Sequence, residues 1–244
     1  MELKGKVAVI TGGAIRVGRA LTLALAEVGC KVFIHYGRSA GPAEQTQAEA
    51  QKLGVEAVIY SANLLDATEA QSLIPAAIER FEQVDILINS AAIFPEEDRF
   101  STTDLALWDK LMAVNLRAPF LFSQAFAAQV PEGGQGKIIN ILDARVRRPA
   151  PDHFVYRLTK GGLWTMTEML AQELAPRITV NAVALGAILP PPGADVSYLD
   201  KLAQEKVPLK RAGSAEIVAE NVLHLLRQDF LTGVIVPIDG GQFL

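Results

Sequence analysis

The chain has 244 residues, 50% of them hydrophobic, with 23 basic and 27 acidic side chains, a formal net charge of −4 and a single cysteine, Cys30. The apolar content excludes a disordered or collagen-like chain, and one cysteine excludes a disulfide framework or a cysteine-based zinc cluster. The mild acidity argues against a general nucleic-acid or membrane-surface binder.

Short apolar runs alternate with longer amphipathic segments along the chain. Strands are predicted at Val7–Ile10, Lys31–His35, Ala57–Ser61, Ile86–Asn89, Lys137–Leu142, Thr179–Ala184 and Val234–Pro237. Helices are predicted between them, at Arg16–Val28, Pro42–Leu53, Thr68–Phe81, Asp104–Ala128, Phe154–Leu174 and Ala215–Arg227. Alternation of this kind predicts βαβ units, and strands apolar on both faces suit a parallel sheet covered on both sides. The expectation is one Rossmann-like three-layer αβα domain over 1–244, with a parallel sheet of about seven strands. Gly186–Gly213 is rich in Pro and Gly and reads as a long irregular loop of the kind that closes over substrate. The apolar run after Met1–Lys6 is shorter than a secretory signal needs, and no stretch reaches the length of a spanning helix, so a cytoplasmic protein is expected.

The first strand runs into Thr11-Gly12-Gly13-Ala14-Ile15-Arg16-Val17-Gly18, where a helix opens. Strand, glycine-rich turn and helix N-terminus together form a cradle for a pyrophosphate. Gly12 permits the tight turn and Gly18 the close packing of helix on strand. At the end of the second strand an acid would bind the ribose 2′-OH of NAD; this chain instead has His35-Tyr36-Gly37-Arg38-Ser39. Arg38 and Ser39 suit a 2′-phosphate, so NADP(H) is the expected cofactor.

Tyr156 and Lys160 sit four apart near the start of a predicted helix and share a face. A neighbouring ammonium lowers a tyrosine's pKa toward a useful range for proton transfer. By itself such a pair also occurs on ordinary surface helices; its position after the fifth strand gives it meaning.

Together these residues resemble the short-chain dehydrogenase/reductase superfamily over nearly the whole chain, from Gly5 to Gly241. The matching features are the glycine loop, Asn63-Leu64, Asn89-Ser90-Ala91-Ala92, Asn115, Tyr156, Lys160 and Asp239-Gly240-Gly241. Arg16 stands at the loop's middle glycine, Asp143 replaces the usual catalytic serine, and Phe94 follows the Asn89 segment. With His35-Tyr36-Gly37-Arg38-Ser39-Ala40 these departures resemble the pteridine reductases and related dihydromonapterin or dihydrofolate reductases.

The resemblance implies a cofactor site made by Gly12, Arg16, Val17, Gly18, Tyr36, Arg38, Ser39, Asn63, Leu64, Asn89, Ser90, Ala91, Tyr156, Lys160, Gly186 and Ile188. It implies a substrate site of Arg16, Phe94, Asp143 and Tyr156, and a catalytic set of Asp143, Tyr156, Lys160 and Asn115, with Asn115 holding a water or the helix kink behind Lys160. Phe94 can stack on a flat ring, or be a partly buried loop aromatic. Asp143 can accept hydrogen bonds from a pterin edge or, protonated, donate to a ring nitrogen. Ala92, Leu185-Gly186 and Asn63 depart from the pteridine reductase pattern. Asn63 retains the ability to bond an adenine amino group.

The expected activity is NADPH-dependent reduction of a pterin-type substrate by a homotetramer. The alternatives are a carbonyl reductase of the 3-oxoacyl or ketone type and a non-catalytic NADPH-binding sensor. Arg145, Arg147 and Arg148 form either a basic rim for an anionic substrate or a solvated loop. His35, His153 and His224 lack metal-ligand spacing, so no metal is expected. Cys30, Trp108 and Trp164 read as packing residues.

Overall fold

Seven short runs dominated by Val, Ile, Leu and Ala form strands because β-branched and apolar side chains suit a pleat buried on both faces. In the computed structural model, which describes residues 1–191, 193 and 195–244, they are β1 Val7–Ile10, β2 Lys31–Tyr36, β3 Ala57–Ser61, β4 Ile86–Asn89, β5 Gly136–Asp143, β6 Ile178–Leu185 and β7 Ile235–Ile238. All pair in parallel in the order β3-β2-β1-β4-β5-β6-β7. The order reverses between β1 and β4, which opens a crevice beyond the carboxyl ends of those two strands.

Alternation along β1 separates two core layers. Ala8 and Ile10 pack with Leu21 and Leu25 of α1 (Arg16–Glu27) and with Val222, Leu225 and Leu226 of α8 (Ala215–Arg227). Val7 and Val9 face Leu73 and Ile74 of α3 (Ala67–Phe81) and Phe122 and Phe126 of α5 (Ala118–Gln129). The remaining helices are α2 (Ala40–Lys52), α4 (Leu105–Met112), α6 (Phe154–Glu173) and α7 (Val196–Lys206). Among the described residues no helix is long and apolar enough to cross a membrane.

Two expectations about elements need correcting. The helix expected over Asp104–Ala128 is α4 and α5 joined by a π turn at Ala113–Arg117. A π turn inserts one residue into the helical register, and here it carries Asn115 inward. The segment Gly186–Gly213 is not irregular throughout. It contains α7, capped by Asp195, whose Oδ1 accepts from the Ser197 N–H, and its Leu199 and Ala203 pack with Ala187 and Val207. The Pro and Gly residues that suggested a loop flank this helix; Pro192 and Ala194 of the segment lie outside the described residues.

Candidate active site

A cavity of about 780 Å³ occupies the crevice at the β1/β4 switch point. Its wall at β1 is the glycine loop. Gly12 has φ +63°, and a Cβ there would lie 3.0 Å from the Ala91 backbone. At Gly18 a Cβ would fall 2.0 Å from the Gly12 carbonyl oxygen, so helix α1 reaches the loop only with no side chain at that position. Arg16 has φ +55°, a left-handed conformation rare for a side-chain-bearing residue. Its guanidinium donates to the Pro190 carbonyl at 2.6 Å, linking the glycine loop to the segment after β6.

The loop is held from below by His35, which opens the pattern at the end of β2 but had no role of its own assigned from sequence. Its buried ring accepts from the Gly12 N–H at Nδ1 (3.1 Å), and its Nε2 lies 3.0 Å from the Ala62 carbonyl, which assigns the proton to Nε2. Burial keeps this imidazole below its usual pKa, in the neutral form that the accepting Nδ1 requires. Thr11 does similar work on the other side. Its hydroxyl accepts from the N–H groups of Ser90 and Ala91, both at 3.0 Å.

Tyr36, Arg38, Ser39, Asn63 and Leu64 line one end of the cavity, beyond β2 and β3. Arg38 makes no ion pair among the described residues, and the Ser39 hydroxyl caps no helix N–H although Ser39 precedes α2. Val17, Ser90, Ala91 and Gly186 line the middle.

At the other end β5 delivers Asp143 and α6 delivers Tyr156 and Lys160. The Tyr156 hydroxyl donates to Asp143 Oδ2 at 3.2 Å. Lys160 is buried, and its Nζ donates to the Ile141 carbonyl at 2.8 Å. Phe94 stands edge-on to Tyr156, with ring centroids 4.9 Å apart, and packs against His153 at 4.5 Å. The N-terminus of α6 is pinned by Asp98, 2% exposed, whose Oδ2 accepts from the Tyr156 N–H at 2.8 Å. Asp98 lies 58 residues before Tyr156, and no local pattern marks it.

The electrostatics differ from expectation. Burial, then the Asp143 carboxylate, push the Tyr156 hydroxyl well above its usual pKa, while Arg145 acts in the opposite direction. Burial pushes the Lys160 amine down to about 8, with Asp143 opposing the shift. Lowering of Tyr156 by Lys160 is not seen: the lysine is occupied by a backbone carbonyl, and burial, followed by Asp143, sets the phenol's direction. Each contact to Asp143 comes from a donor or a cation, as an accepting carboxylate requires.

Three predicted site residues do not line the cavity. Asn89 turns under the sheet, where its Nδ2 donates to Asn140 Oδ1 at 2.8 Å, because β4 and β5 pair these residues in register. Asn115 is fully buried in the π turn. Its amide brackets Ile93, accepting from the N–H (2.8 Å) and donating to the carbonyl (2.9 Å), and its Nδ2 lies 3.3 Å from Thr159 Oγ1. From the π turn it thus ties the cavity wall at Ile93 to α6 at Thr159, the residue before Lys160. Ile188 is buried in the core layer of α1 and α8.

Arg16, Arg38 and Lys160 line the cavity, whereas Asp143 is the one carboxylate among the described lining residues. That imbalance, with Arg38 unpaired at the end remote from Asp143, fits a phosphate-bearing dinucleotide running from β2 to β5.

Comparisons with known proteins agree with this geometry. A family model described as enoyl-(acyl carrier protein) reductase matches residues 13–242. The 3-oxoacyl-[acyl-carrier-protein] reductase of Synechocystis sp. is 32% identical over 246 residues, covering 99% of this chain and 98% of that protein. The solved structure of FolM alternative dihydrofolate reductase 1 from Brucella canis, complexed with NADP, superposes with a TM-score of 0.91 at 34% identity, over 100% of this chain and 96% of that one. A short-chain dehydrogenase/reductase from Serratia marcescens gives a TM-score of 0.91 at 32% identity, with full coverage of both chains.

Proposed function

The chain belongs to the short-chain dehydrogenase/reductase family, and from that premise we propose that it is an NADPH-dependent reductase of a flat, pterin-type substrate. NADP(H) is the cofactor: relatives are solved with it bound, and the Arg38–Ser39 end of the cavity has the donors for its 2′-phosphate. The glycine loop and Arg16 would hold its pyrophosphate, and Lys160 its nicotinamide ribose. When bound, NADPH supplies the hydride.

This chain's residues handle the proton. Tyr156 gives its hydroxyl proton to the nitrogen or oxygen next to the carbon that is reduced, and recovers one from solvent. Asp143 orients the Tyr156 hydroxyl and accepts from the N–H edge of the substrate. Phe94 offers a face for a planar ring. The observation that carries the pterin reading is the Tyr156–Asp143 hydrogen bond beside Phe94. A hydroxyl donor in place of the carboxylate would suit a simple carbonyl better. The family pattern further implies a cytoplasmic homotetramer.

A 3-oxoacyl or ketone reductase is the second reading, favoured by relatives such as the Synechocystis enzyme. NADPH oxidation with dihydrobiopterin, dihydromonapterin, dihydrofolate and a β-ketoester separates the two. Turnover of a dihydropterin with a poor β-ketoester rate is expected. The reverse order overturns the pterin assignment, and tight NADPH binding without turnover of any of them makes the protein a sensor.

A further inference from the structure

Arg145 lies two residues beyond Asp143, outside the family pattern that singled out the rest of the site. Its backbone N–H donates to Asp143 Oδ1 at 2.9 Å, and its side chain folds back so that Nε lies 2.9 Å from Oδ2. The Nε–H has no hydrogen-bond partner, so the contact at Oδ2 is an attraction between charges rather than an aligned hydrogen bond. With side-chain exposures of 24% and 14%, the pair is poorly screened by solvent. The guanidinium carbon stands 4.9 Å from the centroid of Phe94 and 5.9 Å from that of Tyr156.

The placement is built rather than incidental. Arg157, the residue after Tyr156, donates to the carbonyls of Arg145 and Arg148 and pairs with Asp152 at 2.9 Å. The turn carrying Arg145 is thus tied to α6 at the point where Tyr156 projects.

The chemistry gives this cation a task. When Tyr156 gives up its proton, a phenolate forms against the Asp143 carboxylate that its hydroxyl had faced at 3.2 Å. Two adjacent negative charges in a buried site are costly without a counter-charge. Lys160 is held by the Ile141 carbonyl, and of the charges acting on Tyr156, Arg145 is the one that favours the phenolate. We propose that Arg145 is a positioning residue of this site, neutralising Asp143 so that Tyr156 can release a proton beside a carboxylate. A serine at position 143 would bring no charge to offset and would leave Arg145 without this task.

The proposal rests on the reading of Tyr156 and Asp143 as the reacting pair. Its test is a double-mutant cycle on the full-length protein, with NADPH oxidation measured on whichever of dihydrobiopterin or the β-ketoester turns over. Arg145→Gln is expected to lower kcat about tenfold or more, with NADPH affinity unchanged, and Arg145→Lys to recover most of the loss. In an Asp143→Asn background the Arg145→Gln cost is expected to shrink to less than about threefold, because the charge to be neutralised is gone. An equal loss in both backgrounds, no recovery with lysine, or NADPH affinity falling in step with kcat overturns the role of Arg145. If Asp143→Asn or Tyr156→Phe alone leaves turnover intact, or neither substrate is reduced, the reading of the reacting pair fails instead.

Discussion

Lys160 makes the site costly to fold, and the cost has a measurable sign. Its amine is buried, with one carbonyl partner at 2.8 Å, and titrates at about 8 rather than 10.5. That difference makes the charged form less favourable in the folded protein by about 3 kcal/mol. Replacing Lys160 by Met keeps the length and apolar stem and removes the charge. It also leaves the Ile141 carbonyl without its donor, a loss of about 1–2 kcal/mol, partly relieved because Ile141 borders the cavity and water can reach it. The net expectation for the cofactor-free protein at pH 7 is a stabilisation of about 1–2 kcal/mol, or about 3–6 °C in Tm for a chain of this size.

The pH dependence follows from the direction of the shift. Below about 8 both folded and unfolded states carry the proton, and the wild-type protein bears the full cost. Between about 8 and 10.5 the unfolded state binds the proton and the folded state releases it, so the lysine's contribution to stability improves as pH rises. The Tm advantage of Lys160→Met should therefore be complete at pH 7 and shrink steadily toward pH 10. Thermal unfolding by circular dichroism at pH 7, 8.5 and 9.5, without cofactor, measures it. A variant less stable than wild type at pH 7, or a gap that does not change with pH, refutes the reasoning. The same variant should bind NADPH more weakly if Lys160 holds the nicotinamide ribose, as proposed above.

Two further changes test the cofactor end. Arg38→Ala is expected to weaken NADPH binding by about tenfold or more while leaving NADH within about twofold, as removal of a phosphate partner requires; equal losses in fluorescence titrations would remove Arg38 from the 2′-phosphate site. Gly18→Ala places a methyl 2.0 Å from the Gly12 oxygen and 2.8 Å from the Gly12 carbonyl carbon, both backbone atoms that cannot yield cheaply. A loss of about 1–3 kcal/mol in urea unfolding and impaired NADPH binding are expected, and wild-type values for both would show the loop free to shift.

The parallel sheet was legible because strands buried on both faces read as unbroken apolar runs, and the glycine loop because its context of strand and helix is local. What depended on distant pairing was not. His35 and Asp98 act through backbone groups 23 and 58 residues away, so nothing near them in sequence marks them as struts. Asn89 and Asn115 came from the family resemblance, but their orientation follows from the β4–β5 register and from a π turn, neither of which periodicity reveals. Arg145 was open between a rim charge and a solvated loop, and the return of its side chain onto Asp143 is neither of these. Helix α7 was obscured by its flanks: Pro and Gly residues crowd a segment whose Leu199 and Ala203, four apart, already have helical spacing.

The struts share a design with a consequence for catalysis. Thr11 and His35 fasten the glycine loop and the Ser90–Ala91 turn, Asn115 fastens Ile93, and Asp98 fastens the start of α6. Each is a buried polar side chain whose desolvation is tolerable only because it is hydrogen-bonded, so loosening any wall segment strands a polar group. The wall lining the cavity is cross-tied for that reason. The opposite side differs: from the glycine loop, Arg16 reaches the segment after β6 through one hydrogen bond to the Pro190 carbonyl, made by an exposed side chain in a left-handed backbone conformation. A phosphate offers that guanidinium a charged, bidentate partner in place of a neutral carbonyl. On the proposed reading, a cofactor pyrophosphate at the glycine loop would compete with the Pro190 carbonyl for the Arg16 guanidinium.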